Sequence, residues 1–345
     1  MKFTKLYLDA SNPQNKKQGK YCSLLIRAFK YTLGKFSPQF SGYGEILIRD
    51  VINSIIDLIH EDFNLILKKP YIDHSQIKYT SDKEAGESYW SAYLKRNNSF
   101  IYDAFNQQTK SVSTCTTCNK RSVSFDPFIL IEFHFDKNNK NLFSLDECFY
   151  NYPTPVNVQE YYCSGCKDFK EAIKTSFFWS FPQYLILSFK NVIAKRFFEF
   201  PDVQLDLTPY VEVKDRFYLY EIVSICETRF FFKIGFFFIN NYLLFGTFRG
   251  SEGGGHSVCK VNKNGKWYLC DDSTISLIED TSGLITTDLD TIFLKRKKTG
   301  PYSFKNHQSF FVQSFLTFLL CLKRISNLQQ KIPKLVIFEI ISHSI

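Results

Sequence analysis

The sequence predicts an α+β fold in which helices come first and mostly antiparallel strands follow. Apolar residues recur three and four positions apart between residues 45 and 67, which is the spacing of an amphipathic helix. Beyond Asn98 the pattern changes to short runs rich in Val, Ile, Phe and Tyr, which favour strands. A chain of 345 residues with 44% hydrophobic content can bury a large core, so we expect a globular protein.

The helical part begins with a short helix over Tyr21–Tyr31, for which Gly34 is the predicted stop signal. A long amphipathic helix is predicted over Glu45–Leu67, with Pro70 ending the helical region. A further helical segment is predicted over Glu84–Leu94, within an otherwise polar and turn-rich stretch.

The strand part contains four principal predicted strands, which are Ser122–Phe135, Ala172–Phe178, Tyr184–Phe189 and Phe217–Ser224. A hairpin follows, formed by Ser257–Val261 and Lys266–Leu269. The residues between them, Asn262–Gly265, supply the Asn and Gly that hairpin turns favour.

The charge balance weighs against a nucleic-acid-binding protein. The chain has 43 Lys and Arg against 34 Asp and Glu, a formal net charge of +9. Because the basic residues are scattered, we expect only a mild preference for acidic partners and no nucleic acid. Charges interrupt the first 20 residues where a signal peptide would be apolar, so we expect an intracellular protein of the cytoplasm or nucleus. Its ten cysteines are then thiols or metal ligands rather than disulfides.

Two Phe-rich stretches, residues 230–248 and 310–322, could suggest a membrane segment. Polar residues interrupt the first, and the second is too short to span a bilayer as a helix. We therefore do not favour a membrane protein.

Four cysteines form the strongest motif in the sequence. Cys115 and Cys118 form one C-x-x-C pair, and Cys163 and Cys166 form a second. Two such pairs supply four thiolates for a tetrahedral zinc ion. Four protein ligands leave no position open for water, so we predict one structural Zn²⁺ rather than a catalytic one.

A histidine and an acidic pair lie at the two ends of the predicted hairpin. His256 precedes the first strand, and Asp271 and Asp272 end the second. A histidine held by a carboxylate is the general-base half of a nucleophilic triad. The rival interpretation is a metal site of His256, Cys259, Cys270 and Asp271. It is disfavoured because His256 and Cys259 would face opposite sides of a regular strand.

Several sequence blocks together resemble the ubiquitin-specific protease family of cysteine deubiquitinases. The resemblance covers most of residues 33–298. It is carried by KFSPQFSGYG, IHEDFNLILKKPYI, CTTCNKRSVSFDPF and YYCSGCKDFKEAIKTSFFWSFPQYLILSFK, and then by GGGH followed by GKWYLCDDSTISL. The blocks lie in the family's order, and the last is similar to its histidine box.

This resemblance implies a papain-like cysteine protease fold of thumb, palm and fingers. The catalytic domain would span residues 1–298, with an incomplete thumb over about 1–100, zinc-bearing fingers over about 101–180 and a palm over about 181–298. Residues 299–345 match nothing in the family and form an unassigned tail. Ubiquitin would lie on the fingers with its tail in the cleft between palm and thumb.

The resemblance also implies a chemistry. In this family a cysteine thiolate attacks the carbonyl of the last glycine of ubiquitin and releases the modified lysine. Here His256 matches the general base, Asp271 matches the acid that orients it, and Asp272 matches a polar group near the oxyanion. The implied partners are ubiquitin and ubiquitinated proteins.

The nucleophile box of the family, approximately GNTCYMNS, has no match in this sequence. Residues 12–31 are similar to the segment that follows the box, so the chain is expected to begin after the nucleophile. Cys22 lies upstream of the fingers but lacks the preceding Gly-Asn, so it is disfavoured as the nucleophile. The sequence therefore predicts a family member that is inactive as this chain alone. The alternatives are a non-catalytic ubiquitin-binding pseudoprotease or, less favoured, a zinc-ribbon protein that binds nucleic acid.

Overall fold

The fold is taken from a computed structural model of the chain. It describes residues 31, 33–41, 48–73, 79–134, 143–190, 198–199, 205–214, 217–230, 234–239, 242–247, 255–263, 265–271, 274–282, 284–286 and 289–297. None of the helices within these ranges is long and apolar enough to cross a membrane.

Four α-helices are described from end to end, and the first turns of three of them show why they begin where they do. They are α1 (Ile48–Phe63), α2 (Asp82–Leu94), α3 (Phe100–Phe105) and α4 (Leu145–Tyr150). Ser81, Ser99 and Ser144 precede α2, α3 and α4, and each serine side chain accepts a backbone N–H of the first turn. These bonds satisfy donors that the helix itself cannot pair. The prediction of a helix followed by strands is confirmed, although α4 lies among the strands.

A four-stranded antiparallel sheet contains the two C-x-x-C pairs. Its order is β2 (Arg121–Phe128), β1 (Gln107–Cys115), β6 (Asp168–Ser180) and β5 (Val156–Cys163). Cys115 pairs with Ala172 across the two central strands. The turn from β1 to β2 and the turn from β5 to β6 therefore lie at the same end of the sheet, which brings the two cysteine pairs together.

An eight-stranded sheet forms the other β unit. Seven strands follow one path, which is β15 (Thr274–Ile278), β14 (Lys266–Asp271), β13 (Gly255–Lys263), β10 (Leu219–Phe230), β16 (Leu289–Arg296), β7 (Tyr184–Lys190) and β3 (Leu130–His134), and β9 (Leu205–Asp206) pairs with β10. All of these pairings are antiparallel except that of β3 with β7. Two small sheets complete the description, one of β4 (Phe143–Ser144) with β8 (Phe198–Glu199) and one of β11 (Ile234–Ile239) with β12 (Tyr242–Thr247).

Both faces of the eight-stranded sheet are buried along its strand β7. Along β7, Tyr184 and Ile186 belong to the core shared with α1 and α3, whereas Leu185 and Leu187 belong to the core shared with α4. This alternation is what a pleated strand gives when each face has its own apolar layer. We call the first layer the helix-side core. It also contains Cys226 and Cys259.

The structure corrects three predicted boundaries. Helix α1 ends at Phe63 rather than Leu67, because the Asn64 side-chain oxygen accepts the backbone N–H groups of Ile66 and Asn98, at 3.1 and 3.0 Å. These side-chain hydrogen bonds take the place of the backbone bonds of a further helical turn, so the helix stops. The predicted strand Ser122–Phe135 is two strands, β2 and β3, which belong to different sheets and are separated at Ile129.

The third correction concerns Gly34, which was expected to stop a helix. Residues 33–36 are helical, and the chain turns only at Ser37, whose N–H donates to the Leu33 carbonyl at 2.8 Å. A Cβ on Gly34 would lie 2.9 Å from the Cα of Ser41, so glycine permits a close backbone approach. The predicted helix Tyr21–Tyr31 falls, except for Tyr31, outside the described residues.

Candidate functional site

The four cysteines of the two C-x-x-C pairs converge at the tip of the four-stranded sheet. The Sγ atoms of Cys118 and Cys163 are 3.4 Å apart, and those of Cys115 and Cys166 are 4.0 Å apart. All four sulfurs lie within 4.8 Å of one another. The sequence prediction that both pairs contribute to one cluster is confirmed.

The two turns that present the sulfurs have the same backbone form. The residue after each pair, Asn119 or Lys167, has a left-handed backbone with φ of 58° or 56°. The N–H of that residue donates to the carbonyl of the first cysteine, at 3.0 Å for Asn119 to Cys115 and 2.7 Å for Lys167 to Cys163. Each turn therefore folds back on itself and directs two sulfurs to the same point.

Backbone N–H groups in these turns favour thiolates. The N–H of Cys118 lowers the pKa of the Cys115 thiol, and the N–H of Cys166 lowers the pKa of the Cys163 thiol to about 6. A side-chain hydrogen bond with Cys118 raises the pKa of Cys166 to about 12. The cluster can thus hold negative charge that a cation would neutralise.

The donor set and the spacing fit a tetrahedral metal ion. With metal–sulfur distances of about 2.3 Å, two sulfurs of a tetrahedral site are about 3.8 Å apart. The observed 3.4 and 4.0 Å separations lie on either side of that value. Among the described residues, these four cysteines are the one group identified as able to hold a metal ion.

Gly165 is a residue of this site that the sequence reasoning missed. A Cβ at this position would lie 3.2 Å from the Sγ of Cys118 and 3.0 Å from the Cδ of Lys120. Glycine therefore lets the second turn approach the first closely. The signal in the sequence was the small residue inside C-S-G-C.

The predicted hairpin that carries His256 is confirmed at the level of the backbone. Strands β13 and β14 pair antiparallel from Lys263↔Lys266 to Cys259↔Cys270. Gly265 in the turn has φ of +79°, a conformation that favours glycine, and its N–H donates to the Asn262 side chain at 3.1 Å. The register with the neighbouring strand places His256 opposite Arg229 of β10.

The predicted acid Asp271 is the last residue of β14 and is half-buried. If the hairpin register continued by one residue beyond Cys259↔Cys270, Asp271 would lie opposite Val258, two positions along β13 from His256. Such diagonal positions on neighbouring strands lie about 7 to 8 Å apart between backbones, within reach of longer side chains. The side chain of His256, and Asp272 and Cys22 as a whole, fall outside the described residues.

The cysteines of the rival metal set lie in the helix-side core. Cys259 is directly opposite Cys270, and its Sγ is 2.9 Å from the Sγ of Cys226 on the other neighbouring strand. Cys226 and Cys259 are buried, and Cys270 packs against the same core. The position of His256 relative to these sulfurs stays a prediction.

A buried ion pair beneath the hairpin was not predicted. The Lys260 ammonium donates to the carboxylate of Glu227 on β10 and to the carbonyl of Leu284, both at 2.6 Å. The Thr286 hydroxyl donates to the same carboxylate at 2.9 Å. These bonds connect the strand of His256 to the central strand and to residues 284–286. The local sequence did not indicate this ion pair, because Lys260 and Glu227 are far apart in the chain.

Comparison with known proteins gives a family match. A family model described as "Ubiquitin carboxyl-terminal hydrolase" matches residues 2–309 of the chain. Ubiquitin carboxyl-terminal hydrolase 15 of Homo sapiens is 44% identical over 110 residues, which are 32% of this chain and 11% of the relative. Ubiquitin carboxyl-terminal hydrolase 2 of Bos taurus is 25% identical over 279 residues, which are 77% of this chain and 42% of the relative. The chain thus spans less than half the length of these curated relatives.

Solved structures support the same fold. The chain is similar to a SAGA DUB module that contains Ubp8 and is bound to monoubiquitin, with a TM-score of 0.53, 18% identity, and coverage of 80% of this chain and 54% of that one. A related module bound to ubiquitin aldehyde gives a TM-score of 0.52, 15% identity, and coverage of 86% of this chain and 63% of that one. Because the sequence identities are only 18% and 15%, these two structures show similarity of fold alone.

Proposed function

Because the chain belongs to the ubiquitin carboxyl-terminal hydrolase family, a family of cysteine deubiquitinases, we propose that it forms the ubiquitin-binding and general-base part of such a domain. We further propose that this polypeptide alone binds ubiquitin without hydrolysing the bond after its terminal glycine. The observation that supports the proposal is the hairpin of β13 and β14, which carries His256 near the start of its first strand and Asp271 at the end of its second.

In the proposed chemistry His256 is the general base. It would take the proton of an attacking thiol and later donate it to the leaving lysine amine, while Asp271 holds the imidazole in the required orientation. Asp272 would assist near the developing oxyanion. The base and its acid come from one hairpin, so their spacing depends on a single β-turn and one register.

The nucleophile is the part that this sequence does not supply in recognisable form. No stretch of the 345 residues matches GNTCYMNS, and Cys22 lacks the Gly-Asn context that precedes the family's cysteine. Without a thiolate beside His256, the base has no group to activate. The proposal therefore separates ubiquitin binding, which the fold can provide, from turnover, which needs the missing thiol.

The four-cysteine cluster is proposed to hold one structural Zn²⁺. The support is the sulfur spacing and the donor set, which suit zinc, and the absence of an open ligand position suits a structural role. The ion would join the two turns at the tip of the four-stranded sheet. This sheet then becomes a rigid surface on which ubiquitin is proposed to lie.

Purified chain tests both halves of the proposal. We expect saturable binding of fluorescently labelled ubiquitin and no release of fluorophore from a ubiquitin-amide reporter. Turnover that Cys22→Ser abolishes would overturn the proposed inactivity. Lack of saturable binding by a zinc-loaded, folded chain would overturn the proposed ubiquitin recognition. Cys148→Ser is the control for Cys22→Ser. Cys148 lies in the core on the α4 side of the eight-stranded sheet and has no role in the proposed chemistry.

A further inference from the structure

Two core cysteines lie directly opposite each other on neighbouring strands. Cys226 of β10 pairs in register with Cys259 of β13, and their Sγ atoms are 2.9 Å apart. Their exposed fractions are 0% and 2%, so both sulfurs are shielded from solvent. This thiol pair has no part in the proposed hydrolysis or in the four-cysteine cluster.

The backbone geometry is compatible with a disulfide between them. Opposed residues of an antiparallel pair have Cα atoms about 4.5 or 5.5 Å apart, depending on their hydrogen bonding. Both values lie within the range of about 4.4 to 6.8 Å that disulfides occupy. The sulfurs already contact each other and need to close by about 0.9 Å to reach the roughly 2.05 Å length of the bond. Side-chain rotation can supply that movement.

We propose that Cys226 and Cys259 form an oxidation site, at which hydrogen peroxide converts the thiol pair reversibly to a cross-strand disulfide. One thiolate attacks a peroxide oxygen, the O–O bond breaks, and hydroxide leaves and is protonated to water. The sulfenic acid that forms is then attacked by the second sulfur, the S–O bond breaks, and a second water leaves. Two thiols are oxidised to one disulfide while one molecule of hydrogen peroxide is reduced.

Contact between the sulfurs decides which product forms. A sulfenic acid next to a thiol condenses with it, whereas an isolated one can proceed to the irreversible sulfinic acid. At 2.9 Å the second sulfur is already in place to react with the sulfenic acid. The disulfide is therefore the expected product.

The link would constrain the strand of the proposed base. His256 lies three residues before Cys259 on β13, inside the loop that a bond between Cys226 and Cys259 would close. In the oxidised state β13 would be covalently joined to β10 next to this position. This inference concerns the thiol pair alone and does not depend on the proposed function.

A competing partner makes the assignment testable. Cys259 is also directly opposite Cys270 of β14, which is half-buried and packs against the same core. We assign Cys226 because its Sγ lies 2.9 Å from the Sγ of Cys259. A bond between Cys259 and Cys270 would be a different site.

The experiment uses the zinc-loaded full chain. It is treated with hydrogen peroxide, alkylated with iodoacetamide, digested with trypsin without reduction, and analysed by mass spectrometry. We expect residues 217–229 linked to residues 250–260, loss of two alkylatable thiols per chain, and recovery of both peptides after dithiothreitol. Separate alkylated peptides after excess peroxide, a link from Cys259 to Cys270, or sulfinic acid at Cys226 or Cys259 would each overturn the proposal.

Two variants sharpen the result. Cys226→Ser is expected to abolish the link, and Cys148→Ser, the matched buried control, is expected to retain it. A link that persists unchanged at Cys259 in Cys226→Ser would contradict the assignment. The peptide map of the unmodified chain decides the question by itself if Cys226→Ser does not fold.

Discussion

The imidazole ring of His60 lies flat against the ring of Tyr102, with 3.4 Å between ring centroids and 5° between ring planes. The Nδ1 atom of His60 is 2.7 Å from the Ser99 hydroxyl, which also accepts the N–H of Tyr102. His60 is completely buried. It therefore joins α1 to α3 as a neutral ring.

Burial of this imidazole predicts a loss of stability in acid. Desolvation lowers the pKa of His60 to about 4 from an ordinary value near 6.5, against a smaller opposing effect of Glu61. Between these pH values the unfolded chain binds a proton that the folded chain does not, so stability falls as the pH falls from about 6.5 to about 4. The full loss is at most about 3 kcal/mol. Urea unfolding at several pH values measures it.

The control for this prediction is His134→Gln, which changes an exposed histidine at the end of β3. We expect it to keep the acid dependence of the unmodified chain, whereas His60→Gln should show a shallower loss of stability over the same pH range. Parallel losses in His60→Gln and the unmodified chain would show that another group is responsible.

Replacement of one cluster cysteine should remove the metal. Cys163→Ser takes away a thiolate whose pKa the backbone already lowers, and three ligands bind zinc less well than four. Native mass spectrometry should show one zinc per unmodified chain and none for the variant at micromolar protein. Cys148→Ser should keep the ion, because that cysteine lies on α4, in the core of the eight-stranded sheet. Retention of zinc by Cys163→Ser would refute the four-ligand site.

Gly86→Ala should destabilise the contact between α2 and the four-stranded sheet. A Cβ at Gly86 would lie 2.7 Å from Nε1 and 2.9 Å from Cε2 of the Trp179 indole. Overpacking of this kind costs about 1 to 3 kcal/mol. Replacing Gly by Ala inside a helix gains only up to about 1 kcal/mol, so the net effect is a loss of stability. Chemical denaturation monitored by tryptophan fluorescence measures the difference.

The matched variant for this test is Gly265→Ala in the hairpin turn. No atom lies within 4 Å of the new Cβ there, so its cost of about 1 kcal/mol comes only from the positive φ. The two variants thus separate steric crowding from backbone strain. An unchanged tryptophan signal and stability in Gly86→Ala would show that Trp179 moves aside at no cost.

Lys260→Met should be among the most damaging single changes in the eight-stranded sheet. It leaves the carboxylate of Glu227, which is 0% exposed, without its ammonium partner. Loss of one member of a buried ion pair costs about 3 to 5 kcal/mol. Adding Glu227→Leu to this variant should recover part of that loss, because both charges of the Lys260–Glu227 pair are then removed. Thermal unfolding of the single and double variants measures both effects.

The exposed pair of Lys170 and Asp168 provides the comparison. Its atoms are 2.7 Å apart, but 35% and 60% of the two side chains are exposed. Lys170→Met should therefore cost no more than about 1 kcal/mol. Similar costs for Lys260→Met and Lys170→Met would show that burial does not control the strength of these pairs.

Local signals in the sequence were enough to predict several elements. The apolar spacing predicted α1, and the two C-x-x-C pairs predicted one cysteine cluster, because each signal lies within a few neighbouring residues. The hairpin of β13 and β14 was also predicted, because Asn262 and Gly265 suit a tight turn. The end of α1 was misplaced, since the Asn64 side chain ends it by bonding to Asn98, far along the chain.

The sequence by itself determined that a helical part precedes a mostly antiparallel strand part, and it supplied the cysteine pairs and the candidate base with its acids. Only the tertiary structure decided which distant residues meet, including Cys226 with Cys259, Lys260 with Glu227 and His60 with Tyr102. The physical reason is that periodicity and turn residues act over a few positions. Strand register and helix docking, by contrast, are set by burial of the whole core, and one residue of slip would turn each side chain to the other face.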